Sequence, residues 1–242
     1  MMDLSRSRIL IGDERLLRLK ESTVAVFGLG GVGGYAAEAI VRAGVGRLLI
    51  DDFDVFTPSN INRQLLALQP CMGRLKTDVA DERYMQINPE LEIIKITEHL
   101  TPENIPSIIP DGANNFYAID AIDEIAAKTA LIAELHRRAI PFVSSMGAGS
   151  RLDPSQVKTA DISKTSHCPL ARVIRRNLKD LGIERGVRCV YSTENLNRVE
   201  EPETGNGRRT QGSISFMPGI FGLTLAGIII NDIITRDGKN HG

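Results

Sequence analysis

Three glycines, Gly28, Gly30 and Gly33, stand in the string G-L-G-G-V-G, with Gly31 between the second and third. An apolar stretch, Thr23 to Phe27, precedes them and an alanine-rich one, Gly34 to about Ala43, follows. A strand, a tight turn and a helix N-terminus in that order make an anion site. The first glycine permits the turn, the second lets a phosphate approach the backbone, and the third lets the helix pack on the strand. Free N–H groups and the helix dipole then favour negative charge. The next apolar run, Arg47 to Ile50, ends in Asp51-Asp52-Phe53-Asp54. An acid at the end of the second strand completes a nucleotide fingerprint. Asp52 is the expected ribose ligand, with Asp51 the close competitor.

A dinucleotide site needs nothing more, yet Asn60, Arg63, Gln64 and Lys76 follow within a short span. Taken singly, Arg63 and Lys76 are ordinary solvated charges. Taken together beside a phosphate loop, they suit a triphosphate, whose oxygens gain charge as pyrophosphate departs. Downstream, Asn115 to Asp120 reads as a strand, with Asp120 and Asp123 at its carboxyl end, where open parallel sheets bind ligands. Two acids there can hold Mg²⁺. Helix capping is the other role open to Asp123, ahead of an expected helix from Glu124 to Arg138.

The string D-F-D-x-x-x-x-S-N-x-N-R-Q after the glycine loop, with G-R-L-K downstream, resembles the adenylating superfamily of ThiF, MoeB, HesA and the ubiquitin-activating enzymes. That resemblance implies ATP and Mg²⁺. It implies ATP contacts at Gly28, Gly30, Gly31, Gly33, Asp52, Asp54, Asn60, Arg63, Gln64, Lys76 and Asp123. Arg63, Lys76 and Asp123 would act at the phosphates, Asp123 also at the metal. Arg6, in Leu4-Ser5-Arg6, matches an arginine that reaches into a neighbouring subunit's site, so a homodimer is implied.

The elements that must position these groups follow from periodicity. Leu4 to Leu19 reads as one or two helices broken at Gly12. Lys76 to Gln86 is helical and stops at Asn88-Pro89. Leu91 to Ile96 is a strand, Thr101 to Ile109 a short helix capped by Thr101, and Pro141 to Ser145 a buried strand. Alternating strands and helices predict an α/β fold: a Rossmann-like, mostly parallel sheet with helices on both faces. The expected organisation is a single domain over 1–242. A nucleotide-binding core spans about 20–150, a substrate and dimer elaboration with extra strands and helices about 151–235, and a mobile loop about 195–211. At 242 residues, with 42% hydrophobic and 24% charged residues, the chain suits one soluble α/β core. A net charge of −1 argues against generic polyanion binding by the whole surface. Three scattered cysteines suit a reducing cytoplasm, and neither C-x-x-C nor histidine ligand spacing appears. There is no apolar leader at the N-terminus. The apolar run in Phe216 to Ile234 falls short of a membrane span, so a buried or interface helix is expected.

The second half carries a basic amphipathic stretch, Leu170 to Leu181, with Arg172, Arg175, Arg176 and Lys179. Such a stretch is a solvated face or a surface for RNA phosphates. Cys168 and Cys189 are open to reading as nucleophiles or as ordinary packing cysteines. The runs Asp161-Ile162-Ser163-Lys164-Thr165, Cys168-Pro169-Leu170-Ala171 and Val187-x-Cys189-Val190-x-Ser192-Thr193-Glu194 resemble the TcdA (CsdL) branch, the tRNA threonylcarbamoyladenosine dehydratases. This implies ATP-dependent cyclisation of a modified tRNA adenosine through carboxylate adenylation. A cysteine desulfurase or sulfur-acceptor partner is also implied, as known for some members. The alternative is adenylation of the C-terminus of a ubiquitin-like sulfur carrier. An NAD-dependent dehydrogenase would leave Asn60, Arg63 and Lys76 without a role, and a non-catalytic scaffold would have no need of the complete set.

Overall fold

The computed structural model describes residues 2–110, 114–196 and 212–235. The loop expected at about 195–211 lies, from 197 onward, outside the described residues. The order is α1 (Ser5–Lys20), β1 (Thr23–Phe27), α2 (Gly33–Ala43), β2 (Arg47–Asp51), α3 (Lys76–Ile87), β3 (Glu92–Ile96), α4 (Ile105–Ile108) and β4 (Phe116–Asp120). Then come α5 (Ile125–Arg137), β5 (Phe142–Ser145), β6 (Val157–Asp161), α6 (Pro169–Asp180), β7 (Arg188–Ser192) and α7 (Met217–Thr235).

One seven-stranded sheet runs through both halves of the chain, in the order β3-β2-β1-β4-β5-β7-β6. Every pairing is parallel except β6 with β7. Period-two side-chain alternation divides the core. Val24 and Val26 of β1 face a layer built by α1, α2, α3 and α7, while Ala25 and Phe27 face one built by α4, α5 and α6. From β1 the chain winds outward through β2 to β3; from β4 it winds the other way to β5. The reversal between β1 and β4 is the switch point at which such sheets open a ligand crevice.

Several expectations are refined. α1 is indeed interrupted at Gly12, where φ is +79°. The helix expected from Thr101 shrinks to α4. Thr101 and Asn104 exchange side-chain-to-backbone hydrogen bonds, which closes a separate turn ahead of it. β7 is inserted between β5 and β6, a placement no local pattern encodes. α7 has the length and apolarity of a membrane span, but it is packed into this fold. Phe221, Leu225 and Ile229 are fully buried in the core. A Cβ at Gly222 would fall 2.3 Å from the Val32 carbonyl oxygen, so α7 lies against the start of α2 at backbone distance. Ile229→Ala is expected to destabilise the protein by about 2–5 kcal/mol, measured as a lowered denaturation midpoint at unchanged m-value.

Candidate active site

The glycine loop is built at the switch point. Gly28 takes φ +87°, and a Cβ there would sit 2.9 Å from the carbonyl oxygen of Ala121, just beyond β4. Gly33 opens α2 so close to the turn that a Cβ would fall 1.7 Å from the Gly28 carbonyl oxygen. Gly30 and Gly31 line the far side. A Cβ at Gly30 would have Gln64 Nε2 at 4.0 Å, and one at Gly31 would have Arg63 Cγ at 3.5 Å. The loop after β2 therefore returns over the glycines and brings Arg63 and Gln64 to them.

The acids are differentiated by their partners. Asp52, buried, accepts the Leu29 N–H on Oδ2 at 2.7 Å and the Asp54 N–H on Oδ1 at 2.9 Å, which ties β2's end to the glycine loop. Lys76, buried at the start of α3, places Nζ 3.3 Å from Asp52 and 2.8 Å from Asp54 Oδ2. Its ammonium is thus stored on two carboxylates beside the loop. Asp51 is buried with Oδ1 lacking any partner. Desolvation, with the Asp52 charge beside it, pushes its pKa up to about 8. A buried Asp51 that holds its proton is a poor acceptor for a ribose hydroxyl, whereas Asp52 is tied to the glycine loop through Leu29 and paired with Lys76.

That shift has a stability consequence. The unfolded chain ionises Asp51 near its ordinary value, while the folded protein holds the proton to about pH 8. Stability from this group is full below about pH 4 and declines toward pH 8. Asp51→Asn should therefore raise the melting temperature relative to wild type at pH 8, with the difference vanishing at pH 4.

Arg63 is half-buried and its Nη1 donates to the Ser59 carbonyl at 2.8 Å and to Asn62 Oδ1 at 3.0 Å. Asn60 spends Oδ1 on the Thr57 N–H in a capping box. Gln64 is buried with Oε1 unpartnered. Asp123 is exposed and caps nothing; the residue ahead of α5 is Glu124, without a side-chain cap. Its expected companion Asp120 is not available to a metal. Asp120 is fully buried, bonded to Lys128 Nζ at 2.7 Å and Ser144 Oγ at 2.6 Å. Among the described residues no three histidine, cysteine or acidic side chains are placed to hold a metal ion together. The donor set thus fits Mg²⁺ held by one carboxylate, substrate phosphates and water rather than by a protein cage.

Sequence reasoning passed over a neighbouring triad. Exposed Phe53 meets the His99 ring edge-on at a centroid distance of 4.6 Å, and His99 Nε2 lies 2.7 Å from Glu124 Oε2. This strap joins the residue after Asp52 to the residue after Asp123. Its one sequence signal was an aromatic set between two acids in D-F-D.

Other expected residues lie apart from this crevice. Arg6 is exposed on α1, near Leu4, whose side chain covers Gly44 at the C-terminal end of α2. The glycine loop is at the opposite end of that helix, roughly 16 Å away by its 1.5 Å rise per residue. Arg172, Arg176 and Lys179 are exposed along α6. Arg175 departs from the expected RNA face: it turns inward and donates to the Ile162 and Thr165 carbonyls and to Thr165 Oγ1. Cys168 is buried, and burial pushes the Cys189 thiol up to about 12. A thiol held protonated in the core is not a nucleophile.

The ThiF family model matches residues 4–241. The chain belongs to the ThiF family. Among ThiF relatives it is 40% identical over 240 residues to the tRNA threonylcarbamoyladenosine dehydratase of Bacillus subtilis, covering 95% of this chain and 94% of that one. It is 40% identical over 194 residues to the Escherichia coli enzyme of the same name, covering 77% and 72%. The crystal structure of E. coli TcdA in complex with ATP superposes with a TM-score of 0.89 at 33% identity, over 98% of this chain and 96% of that one. The fold of this ThiF protein is therefore shared, over 98% of the chain, with that ATP-bound dehydratase.

Proposed function

We propose that this protein is an ATP-dependent tRNA threonylcarbamoyladenosine dehydratase. The observation that carries this is the joint placement of Arg63, Gln64 and Lys76 around a switch-point glycine loop, in a chain collinear with dehydratases over nearly its full length. A carboxylate is a poor electrophile because oxide is a poor leaving group. Its oxygen attacks the α-phosphorus of ATP, the bond to the β-phosphate oxygen breaks, and pyrophosphate leaves with the electron pair. Arg63 and Lys76 offset the charge on the departing oxygens, and Asp52 holds the ribose. Asp123 would hold Mg²⁺, which supplies charge neutralisation at the phosphates when bound. In the acyl-adenylate the threonylcarbamoyl group carries its own nucleophile, so the ring closes intramolecularly, AMP departs, and proximity provides the rate. No enzyme thiol is required, consistent with buried Cys168 and Cys189.

The site needs a second subunit in this reading. Arg6 lies beyond the reach of its own glycine loop, and Ile9 and Leu10 beside it are 81% and 82% exposed on α1, as an interface would use them. A homodimer would bring the partner subunit's Arg6 to the phosphates. Mixing Arg6→Ala and Arg63→Ala chains should then restore about a quarter of wild-type activity, since half of randomly paired dimers hold one intact site. Failure to complement would refute a shared site. Arg172, Arg176 and Lys179 form the surface assigned to the tRNA backbone; replacing all three by Ala should weaken tRNA binding and lower its salt slope by about 3. We place the reaction in the cytoplasm, where the described thiols stay reduced. The test is product release: tRNA bearing threonylcarbamoyladenosine should trigger equal amounts of AMP and pyrophosphate. Release triggered only by a ubiquitin-like sulfur carrier would support the alternative substrate.

A further inference from the structure

The Asp120–Lys128 pair is the most deeply buried charge in the described protein, with both side chains 0% exposed. A buried ion pair is a weak source of stability, because desolvation offsets most of the attraction. Its arrangement here is directed at one short stretch of backbone. Lys128 Nζ donates to Asp120 Oδ2 at 2.7 Å and to the Ile122 carbonyl at 3.0 Å. Asp120 Oδ1 accepts the Ile122 N–H at 3.1 Å, and Ser144 Oγ from β5 fixes Oδ2 at 2.6 Å. Both backbone polar groups of Ile122, the residue immediately before Asp123, are therefore held by the pair. On the other side, the Ala121 N–H donates to the Phe27 carbonyl at 2.8 Å, and the Ala121 carbonyl abuts Gly28. The segment carrying Asp123 is clamped between the glycine loop and an ion pair that solvent does not reach.

The geometry points to Lys128 as a positioning residue for the nucleotide site: through Asp120 and the Ile122 carbonyl it fixes the Asp123 carboxylate relative to the glycine loop, and so sets how strongly the metal-bound form of ATP is held. This rests on the proposed role of Asp123 at Mg-ATP. A fixed carboxylate loses less freedom when it takes up a cation than one on a loose loop, and a small displacement suffices to spoil the geometry. Lys128 touches neither nucleotide nor substrate; its effect passes through the backbone of Ile122.

The experiment is calorimetric titration of the full-length protein with ATP in Mg²⁺, ATP in EDTA, and AMP in EDTA. It compares wild type with Asp123→Ala, Lys128→Met, Lys128→Arg and the charge-neutral double variant Asp120→Asn/Lys128→Met. The readout is the factor by which Mg²⁺ tightens ATP. Asp123→Ala should abolish it. Lys128→Met should reduce it at least fivefold, with AMP affinity within twofold of wild type. Lys128→Arg retains the buried charge but cannot place a single donor between Asp120 and the Ile122 carbonyl, and should show a smaller loss of the same kind. If Lys128→Met does not fold, the double variant and Lys128→Arg carry the comparison. A purely structural pair would lower the melting temperature and leave the factor unchanged; a wild-type factor in the folded Lys128 variants overturns the inference. If Asp123→Ala itself keeps the factor, the assignment of Asp123 fails instead, and the two failures are distinguishable.

Discussion

Arg63→Ala and Lys76→Ala should each lower ATP-dependent turnover by about 10²–10³-fold, the size expected for losing one preorganised charge at a developing oxyanion. The two variants should differ in every other respect. Arg63 is half-exposed and its Nη1 is anchored on the Ser59 carbonyl and Asn62, so truncation removes a surface group and leaves the melting temperature nearly unchanged. Lys76 is buried and neutralises Asp52 and Asp54. Removing its ammonium leaves Asp52 buried without a counter-ion next to Asp51, so Lys76→Ala should also lose stability and ATP affinity. Lys76→Arg is not a rescue, because a planar fork cannot replace a point charge seated among carboxylates. Rapid-quench measurement of AMP formation, alongside thermal melts, separates these outcomes. Near-normal turnover in either alanine variant would contradict the site.

Gly33→Ala should eliminate nucleotide binding and strongly destabilise the protein. Its Cβ would lie 1.7 Å from the Gly28 carbonyl oxygen, and both partners are backbone in the turn between β1 and α2. Relief demands moving the loop or α2. α2 in turn is in backbone contact with α7 through Gly222, so the displacement has nowhere to go. The cost should exceed the ~1–3 kcal/mol of ordinary overpacking. Gly30→Ala is the matched control. Nothing lies nearer its Cβ than Gln64 Nε2 at 4.0 Å, and its φ is not in the left-handed region. It should fold at wild-type stability and weaken ATP only, by placing a methyl group where a phosphate approaches. Comparable behaviour of the two variants in melting and ATP titration would mean that the glycine loop is mis-assigned.

The nucleotide half was legible because its signals are local. A buried strand, glycines at fixed offsets and an acid at the next strand's end each encode their own geometry, and β1, α2 and β2 fall where the pattern placed them. What the sequence hid depends on partners distant in the chain. Arg175 reads as one more cation of a basic helix, yet its guanidinium is consumed by carbonyls on the segment ahead of α6. By sequence Cys168 could be a nucleophile or a packing cysteine, but it is buried with its sulfur against Gly147. Asp120 and Asp123 look equivalent at the end of β4. Only the fully buried Lys128 and a serine from β5 distinguish the internal acid from the exposed one. A lysine in a helix is expected to be solvated, so nothing in its spacing marked Lys128. The Phe53–His99–Glu124 strap joins the ends of β2, β3 and β4, which topology alone brings together.

The most direct measurement is the mass of the modified nucleoside recovered, under mild work-up, from threonylcarbamoyladenosine-containing tRNA incubated with this protein and Mg-ATP. The expected result is loss of one water from that nucleoside, dependent on ATP and absent with Arg63→Ala. An unchanged nucleoside, in a preparation that binds ATP and that tRNA, would contradict it.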